Sequence, residues 1–408
     1  MYRDWRNRYR FNDPQSTDTL LNILQGLHND RVTLAFVAEF SRGKTELINS
    51  LFFAETGVRL LPSSPGRTTM SPTELFWDEK GGSYIRLLNI ESRLEDISLM
   101  DYKRNPDRWT QIDLNCDSPT QMQEAFRELI ATKKVSKDMA DKLGLWNERE
   151  AAEQGIINPE SVEVPCWRHA MISFPHPLLK EGLCILDTPG LNALGTEPEL
   201  TLSMLPSAQA IVFVLAADTG VTKSDLEMWK SHVCGSRGNR RQGLAVVMNK
   251  IDSMWDDLAG ETGYEAAIQK QIETSAMILN LEKEVIFPVS AKQALLAKVK
   301  GDEALLEKSR LRQLENYLSE DILNQRRDIL KGVVDKEIGF LISESVKLME
   351  AKINHAQKQL EEFKQVDFEN QELTGKLMAE TRDRQNAIWR ISKTFRPAGK
   401  CLPCRRKC

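Results

Sequence analysis

No run of 18 or more consecutive apolar residues occurs in the 408-residue chain, so no bilayer-spanning helix is expected. The basic, aromatic start at 1–10 leads into no apolar signal core, which argues against secretion. A disulfide framework is also missing. The seven cysteines are odd in number, scattered at Cys116, Cys166, Cys184 and Cys234 and then bunched at Cys401, Cys404 and Cys408, the usage of a reducing cytoplasm. Charge of one sign is lacking as well: 55 Lys and Arg against 59 Asp and Glu leave a formal net charge of −4. That balance disfavours a dedicated nucleic-acid binder, and no nucleic-acid partner is expected. Proline and glycine almost vanish between 302 and 393.

The length calls for two structural units, because a single core seldom grows past about 250–300 residues. From 31 to 300, short apolar β-branched runs alternate with amphipathic stretches, the texture of an α/β domain with a mainly parallel sheet. Strands are expected at 32–37, 73–77, 84–88, 183–186, 210–215, 244–248 and 285–289. A polar stretch at about 91–160 reads as a helical insertion without chemistry of its own. From 301 to 395 charge rises and Leu311, Leu314, Leu318, Leu323 and Leu330 recur in a helical rhythm, which predicts a stalk with coiled-coil character. Within the N-terminal segment 1–30, a helix at 16–27 is expected, with Ser16 as its N-cap. Its Leu20, Leu21, Ile23, Leu24 and Leu27 lie largely along one side, as do Leu314, Leu318, Ile322, Ile329 and Val333 downstream. Faces this apolar must be buried, so the two segments are expected to pack as a short bundle.

Five elements in a consistent order carry chemistry. Ala38-Glu39-Phe40-Ser41-Arg42-Gly43-Lys44-Thr45 links the first strand to a helix. A phosphate chain needs backbone N–H groups at a helix start, a lysine for its β- and γ-phosphates and a hydroxyl for Mg²⁺, and Gly43, Lys44 and Thr45 supply these. Ala38 stands where glycine is usual, and its Cβ is expected to restrict the turn and weaken binding. Asp187-Thr188-Pro189-Gly190 ends a strand; Asp187 can hold a Mg²⁺-bound water, and the Gly190 N–H can reach a γ-phosphate. Asn249-Lys250-Ile251-Asp252 ends another. The Asp252 carboxylate can accept from guanine N1–H and N2–H₂ but would repel adenine N1, with Asn249 bracing the loop and the Lys250 stem covering the base. In Ser290-Ala291, the Ala291 N–H is expected to reach guanine O6. Between these, Thr69, with Thr68 as the alternative, is expected to close over Mg²⁺. The ligands implied are GTP and Mg²⁺, the metal held by Thr45, Thr69 and, through water, Asp187.

On the run Glu39 to Thr45, the Thr68/Thr69 loop, Asp187–Gly190 with Leu191-Asn192, and Asn249–Asp252, the chain resembles the bacterial dynamin-like GTPases of the dynamin superfamily. The likeness implies a GTPase domain on a helical stalk and hydrolysis stimulated when two such domains pair as a homodimer. It also implies assembly often on membranes, hence a cytoplasmic protein with peripheral contact at an inner membrane face. By the same resemblance Ser41 helps position the attacking water. Arg42 is a candidate arginine finger, with a solvated loop arginine as the alternative. Eukaryotic members carry a polar residue where Phe40 stands, and the family lacks a water-positioning glutamine after Gly190, where Leu191 is found here. A second reading stays open: a cytosolic GTP-dependent switch or assembly factor acting on a protein or ribosomal partner without remodelling membrane. A third is a nucleotide binder without turnover. The tail 396–408, rich in Cys and basic residues, allows a truncated end, a lipid-touching tail or a metal site at Cys401, Cys404 and Cys408.

Overall fold

The structure is a computed structural model that describes residues 2–9, 17, 20, 31–62, 71–95, 97–146, 160–188, 205, 208–234, 243–255, 260–324 and 326–394. Nine strands form the main sheet among these residues: β1 (Val32–Ala38), β2 (Thr73–Phe76), β3 (Tyr84–Asn89), β4 (Trp109–Asp113), β7 (Trp167–Ser173), β8 (Leu183–Asp187), β9 (Ala210–Ala216), β10 (Leu244–Asn249) and β11 (Ile286–Pro288). β5 (Thr132–Val135) and β6 (Val162–Pro165) pair separately as an antiparallel ribbon. The sheet order is β11-β10-β9-β1-β8-β2-β7-β3-β4. β11, β10, β9, β1 and β8 run parallel, β2 is antiparallel to β8, and β3 and β4 close the far edge in antiparallel pairing.

The alternation along β1 shows why it sits in the middle. Val32, Leu34, Phe36 and Ala38 pack on one face with Leu47, Leu51 and Phe52, whereas Ala35 and Val37 pack on the other with Phe213, Trp229 and Ile272. Both faces are covered, so the strand reads as an apolar run interrupted only by Thr33. The helix Lys44–Ile48 continues into a π-helical segment, Asn49–Phe53, buried throughout.

The expected strands 32–37, 73–77, 84–88, 183–186, 210–215, 244–248 and 285–289 each coincide with an observed strand, give or take a residue or two. The polar stretch 91–160 differs from its helical expectation. It holds the helices Leu99–Arg104, Pro119–Arg127 and Lys137–Lys142, but also β4 and β5. β4 forms because Ile112 and Trp109 lie opposite Ile85 and Leu88 of β3, a non-local pairing invisible in the local polarity of Trp-Thr-Gln-Ile-Asp. β7 was not foreseen either, since Arg168, His169 and Ser173 interrupt its apolar pattern. Arg168 Nη1 and the Ser173 hydroxyl donate to the carbonyls of Ser92 and Gly82, and His169 Nε2 lies 3.4 Å from the Glu74 carboxylate of β2, which also takes the Lys103 ammonium. Burial raises the Glu74 pKa, but Lys103 and His169 outweigh it and hold the carboxyl well below the usual range.

Two compact units divide the chain, residues 1–337 and 338–408. The helical segments Glu303–Ser309, Leu311–Asn316 and Tyr317–Leu323 therefore fall in the first compact unit. The reason is burial: Leu306, Leu311, Leu314, Leu318, Ile322 and Leu323 share the core of β1. A helix not expected, Tyr2–Tyr9, lies at the N-terminus. Of the segment 16–27 only Thr17 and Leu20 are described, with Leu20 buried, so its expected pairing with the downstream leucines lies outside the described residues. So does the tail 395–408. The helix Arg326–Thr394 supplies the described part of the second unit, where Phe363, Phe368, Met378 and Trp389 are exposed. No helix among the described residues is long and apolar enough to cross a membrane.

His176 makes the first unit sensitive to acid. Its ring meets Phe52 edge-on at 5.2 Å, and Nδ1 is buried without a hydrogen-bond partner among the described residues. Burial, aided by the Lys298 charge, pushes its pKa down to about 4 from 6.5. The unfolded chain therefore binds the proton first, and this contribution to stability falls as pH drops from 6.5 towards 4. In urea unfolding, His176→Gln should reduce the stability lost between pH 7 and pH 4.5 by about 1–2 kcal/mol relative to wild type.

Candidate functional site

The carboxyl ends of the parallel strands β1, β8, β9 and β10 lie along one edge of the sheet, the edge where open α/β sheets bind ligands. The loop after β1 is the tightest element there. Ser41 has φ 66° and Gly43 φ 83°, with Arg42 between them not in the left-handed region. Such alternation turns successive N–H groups into one concavity, the geometry that cradles an anion, and the Lys44–Ile48 helix start adds to it. A Cβ on Gly43 would overlap the Asn249 amide nitrogen.

Asn249, the last residue of β10, joins three loops. Its Nδ2 donates to the carbonyls of Arg42 (3.1 Å) and Gly43 (3.3 Å), and its Oδ1 accepts from the N–H groups of Lys250 (2.8 Å) and Ala291 (3.0 Å). Lys250 takes the left-handed conformation with φ 65°, starting the short turn that presents Asp252. The Ser290 hydroxyl donates to Asp252 Oδ1 at 2.6 Å and so orients its carboxylate. The Ser290 N–H in turn donates to the Ser309 carbonyl at 2.9 Å, fastening this corner to the helix Glu303–Ser309.

At the tip of β8 the buried Lys44 ammonium donates to the Asp187 carboxylate and to the Thr188 carbonyl. Because β2 is reversed, its first residue, Thr73, lies directly opposite Asp187. Thr45, Ser71, Thr73 and Asp187 line a small cleft with Leu129 and Ile130. One carboxylate with hydroxyls around it is a hard-oxygen donor set. It fits Mg²⁺, which takes few protein ligands and completes its shell with phosphate oxygens and water.

A family model described as the dynamin family matches residues 34–251, which includes all of this geometry up to Ile251. The chain belongs to the dynamin family. Its relatives include the bacterial dynamin-like protein of Nostoc punctiforme, 24% identical over 255 residues, covering 56% of this chain and 35% of that one. Dynamin-like protein A of Bacillus subtilis is 20% identical over 403 residues, covering 94% of this chain and 32% of that one. A chloroplastic Arabidopsis thaliana protein described as a probable transmembrane GTPase, FZO-like, is 35% identical over 132 residues, covering 31% and 13%. Among solved structures, an oligomerised bacterial dynamin pair described as sensing and tethering membranes is 19% identical, with a TM-score of 0.45 over 96% of this chain and 52% of that one. The chain spans less than half the length of the curated relatives it matches.

The site of this family member brings Glu39, Phe40, Ser41, Arg42, Gly43, Lys44, Thr45, Asp187, Asn249, Lys250, Asp252, Ser290 and Ala291 to one edge, whereas Thr68, Thr69 and Gly190 lie outside the described residues. Three expectations change. Ala38 is the last residue of β1, pairs with Val214 and has no positive φ, so its Cβ sits in ordinary strand geometry and does not restrict the turn. The Ala291 N–H is taken by Asn249, so here it braces that side chain instead of offering a free donor. The Arg42 guanidinium is not a free or solvated group either: it is bound by Asp225, Glu39, Thr219 and Thr222. Asp225 and Thr222 were overlooked in the sequence, although Thr222-Lys223-Ser224-Asp225 is a capping-box pattern.

Gly57 and Gly301 also have positive φ but open space where a Cβ would go. Gly43→Ala should therefore lower the melting temperature more than Gly57→Ala or Gly301→Ala. The controls carry only the left-handed penalty of about 1–2 kcal/mol. Gly43→Ala also displaces Asn249, adding about 1–3 kcal/mol for buried groups left unpaired.

Proposed function

We propose that this chain binds GTP in preference to ATP and hydrolyses it with Mg²⁺, as a member of the dynamin family. The observation that carries the reading is the Asn249 bridge. It joins the loop suited to phosphates to the loop that presents Asp252, which Ser290 orients. A carboxylate so placed accepts from the N1–H and N2–H₂ that guanine has and adenine lacks.

In this mechanism the backbone N–H groups of Glu39, Phe40, Ser41, Arg42 and Gly43 wrap the phosphates, and Lys44 places its charge on the β- and γ-phosphates. The Thr45 and Thr69 hydroxyls, with Asp187 acting through water, would hold Mg²⁺, which would supply charge to offset the phosphate oxygens. Ser41 helps position the water that attacks the γ-phosphorus, and the Gly190 N–H reaches the γ-phosphate. The bond from that phosphorus to the β-bridging oxygen breaks, and GDP and inorganic phosphate leave. Lys250 covers the base. Self-association through the α/β domain and peripheral contact with membranes belong to the same proposal. They are supported by family membership and by the exposed apolar side chains of the second unit.

In competition with labelled GTP, wild type should discriminate against ATP by about 100-fold or more, the cost of a carboxylate facing adenine N1. Asp252→Asn should lose that preference and gain xanthine nucleotides, whose C2 carbonyl suits an amide donor. Equal binding of ATP and GTP by wild type would refute the guanine reading. Lys44→Ala should abolish turnover and most of the affinity, and wild-type turnover by that variant would refute the phosphate-loop assignment. Turnover per molecule measured at rising protein concentration, with and without anionic liposomes, should increase in both series if self-association and membrane contact hold.

A further inference from the structure

Resting on that nucleotide-site reading, we infer that Arg42 and Asp225 form a latch that holds the phosphate loop in its binding shape, and that Arg42 is a positioning residue and not an arginine finger. The guanidinium makes five hydrogen bonds. Nε and Nη2 grip the two Asp225 oxygens at 3.2 and 2.9 Å, Nη2 also donates to Glu39 Oε2 (2.7 Å) and Thr222 Oγ1 (3.1 Å), and Nη1 donates to Thr219 Oγ1 (3.1 Å). The Arg42 side chain is 11% exposed and that of Asp225 is 0% exposed. A bidentate pair with one fully buried partner is among the strongest polar contacts a protein makes.

The receiving side is itself built for this. Asp225 stands at the third position of the helix Lys223–Met228, and its Oδ2 accepts from the Thr222 N–H (3.0 Å) and the Thr222 hydroxyl (2.7 Å). The cap thus holds the same carboxylate that Arg42 grips. Thr219, Thr222 and Asp225 follow β9, which pairs with β1 up to Ala38 opposite Val214. The latch therefore ties together the loops that leave two neighbouring strands.

Arg42 is held from its backbone too. Its carbonyl accepts from Asn249 Nδ2 while its side chain grips Asp225, and it lies between two residues in the left-handed region, Ser41 and Gly43. For a non-glycine residue that conformation costs about 1–2 kcal/mol. A loop carrying such strain needs contacts that hold it, and these come from the protein itself. Preorganisation of this kind acts on affinity, because ordering the loop is no longer charged to binding. An arginine finger acts instead on the transition state alone and changes turnover without changing ground-state affinity.

The two roles separate in one set of measurements on the full chain: affinity for GDP and for a non-hydrolysable GTP analogue, KM and kcat for GTP, and the melting temperature. Arg42→Ala and Asp225→Asn should each weaken both affinities and raise KM by about tenfold or more, with kcat within about threefold of wild type. Arg42→Lys keeps the charge but not the fork, and should recover only part of the loss. The double variant should be little worse than the worse single one, since both remove the same contact. Should Asp225→Asn lower the melting temperature sharply, Glu39→Gln, which leaves the cap intact, should still raise KM while leaving melting unchanged. Arg42→Ala with unchanged affinities and a kcat reduced 100-fold or more, together with wild-type behaviour of Asp225→Asn, would overturn the latch in favour of a finger. Lys44→Ala keeps the two inferences distinct. If it binds GTP like wild type, the nucleotide site itself is misassigned. If it loses GTP while the Arg42 and Asp225 variants keep wild-type KM, only the latch fails.

Discussion

The side-chain amide of Asn249 is the contact on which the rest of the site depends. It uses both donor hydrogens and its acceptor oxygen on main-chain groups, reaching Arg42 and Gly43 at 3.1 and 3.3 Å, Lys250 at 2.8 Å and Ala291 at 3.0 Å. No other side chain has that combination at that size except glutamine, whose extra methylene would misplace it. An aspartate would lose the two donors and set a charge against two carbonyls. The amide is buried, so each unmade bond would expose an unsatisfied group to a low-dielectric interior. This accounts for Gly43 as well: the nitrogen of Asn249 occupies the space a side chain there would need.

The bridge is possible because of the strand order. β10, β9, β1 and β8 lie side by side and parallel, so the turns leaving their carboxyl ends gather within reach of one another. The reversal at β2 then matters for the other side of the site, since it sets the start of β2, and hence Thr73, against Asp187. The helical segments from Glu303 to Leu323 complete the picture from beneath. They are buried in the core of β1, and Ser309 accepts from the N–H of Ser290, whose hydroxyl orients Asp252. A shift of those helices would therefore be felt at the Asp252 loop through two hydrogen bonds and one core.

The strands that flank the site were legible because their apolar residues are covered on both faces and form near-continuous runs, as along Val32–Ala38, interrupted only by Thr33, and Ala210–Ala216. The residues proposed for phosphate and guanine stand out in the sequence because such ligands dictate residue types. What escaped was everything decided by partners far away in sequence. β7 holds an inner place in the sheet although it contains Arg168 and His169, because Glu74 and Lys103 supply the charge that makes a buried polar strand tolerable. β4 exists by virtue of Ile85 and Leu88 opposite it. The leucines at 306–323 fit a free-standing stalk as well as a buried helix, and only the core of β1 decides between them. Asp225 escaped for the same reason: a capping box signals a helix start and says nothing about the arginine that comes to it.

Two cations stand two positions apart in the phosphate loop, and their residue types match opposite requirements. Lys44 faces Asp187, and Arg42 faces Asp225; both carboxylates are buried. Removing either cation would strand a buried negative charge, so neither pair is dispensable. Yet the two pairs cannot be equivalent. An ammonium is a point charge on a flexible stem, with three donors that accept any oxygen geometry, so Lys44 can exchange Asp187 and the Thr188 carbonyl for phosphate oxygens without a directional penalty. A guanidinium forked onto a carboxylate is tied to one orientation, and Arg42 adds Glu39, Thr219 and Thr222 to the same grip. The loop thus carries a cation free to change partners beside one held in place, and it is the held one that gives the free one a fixed base from which to move.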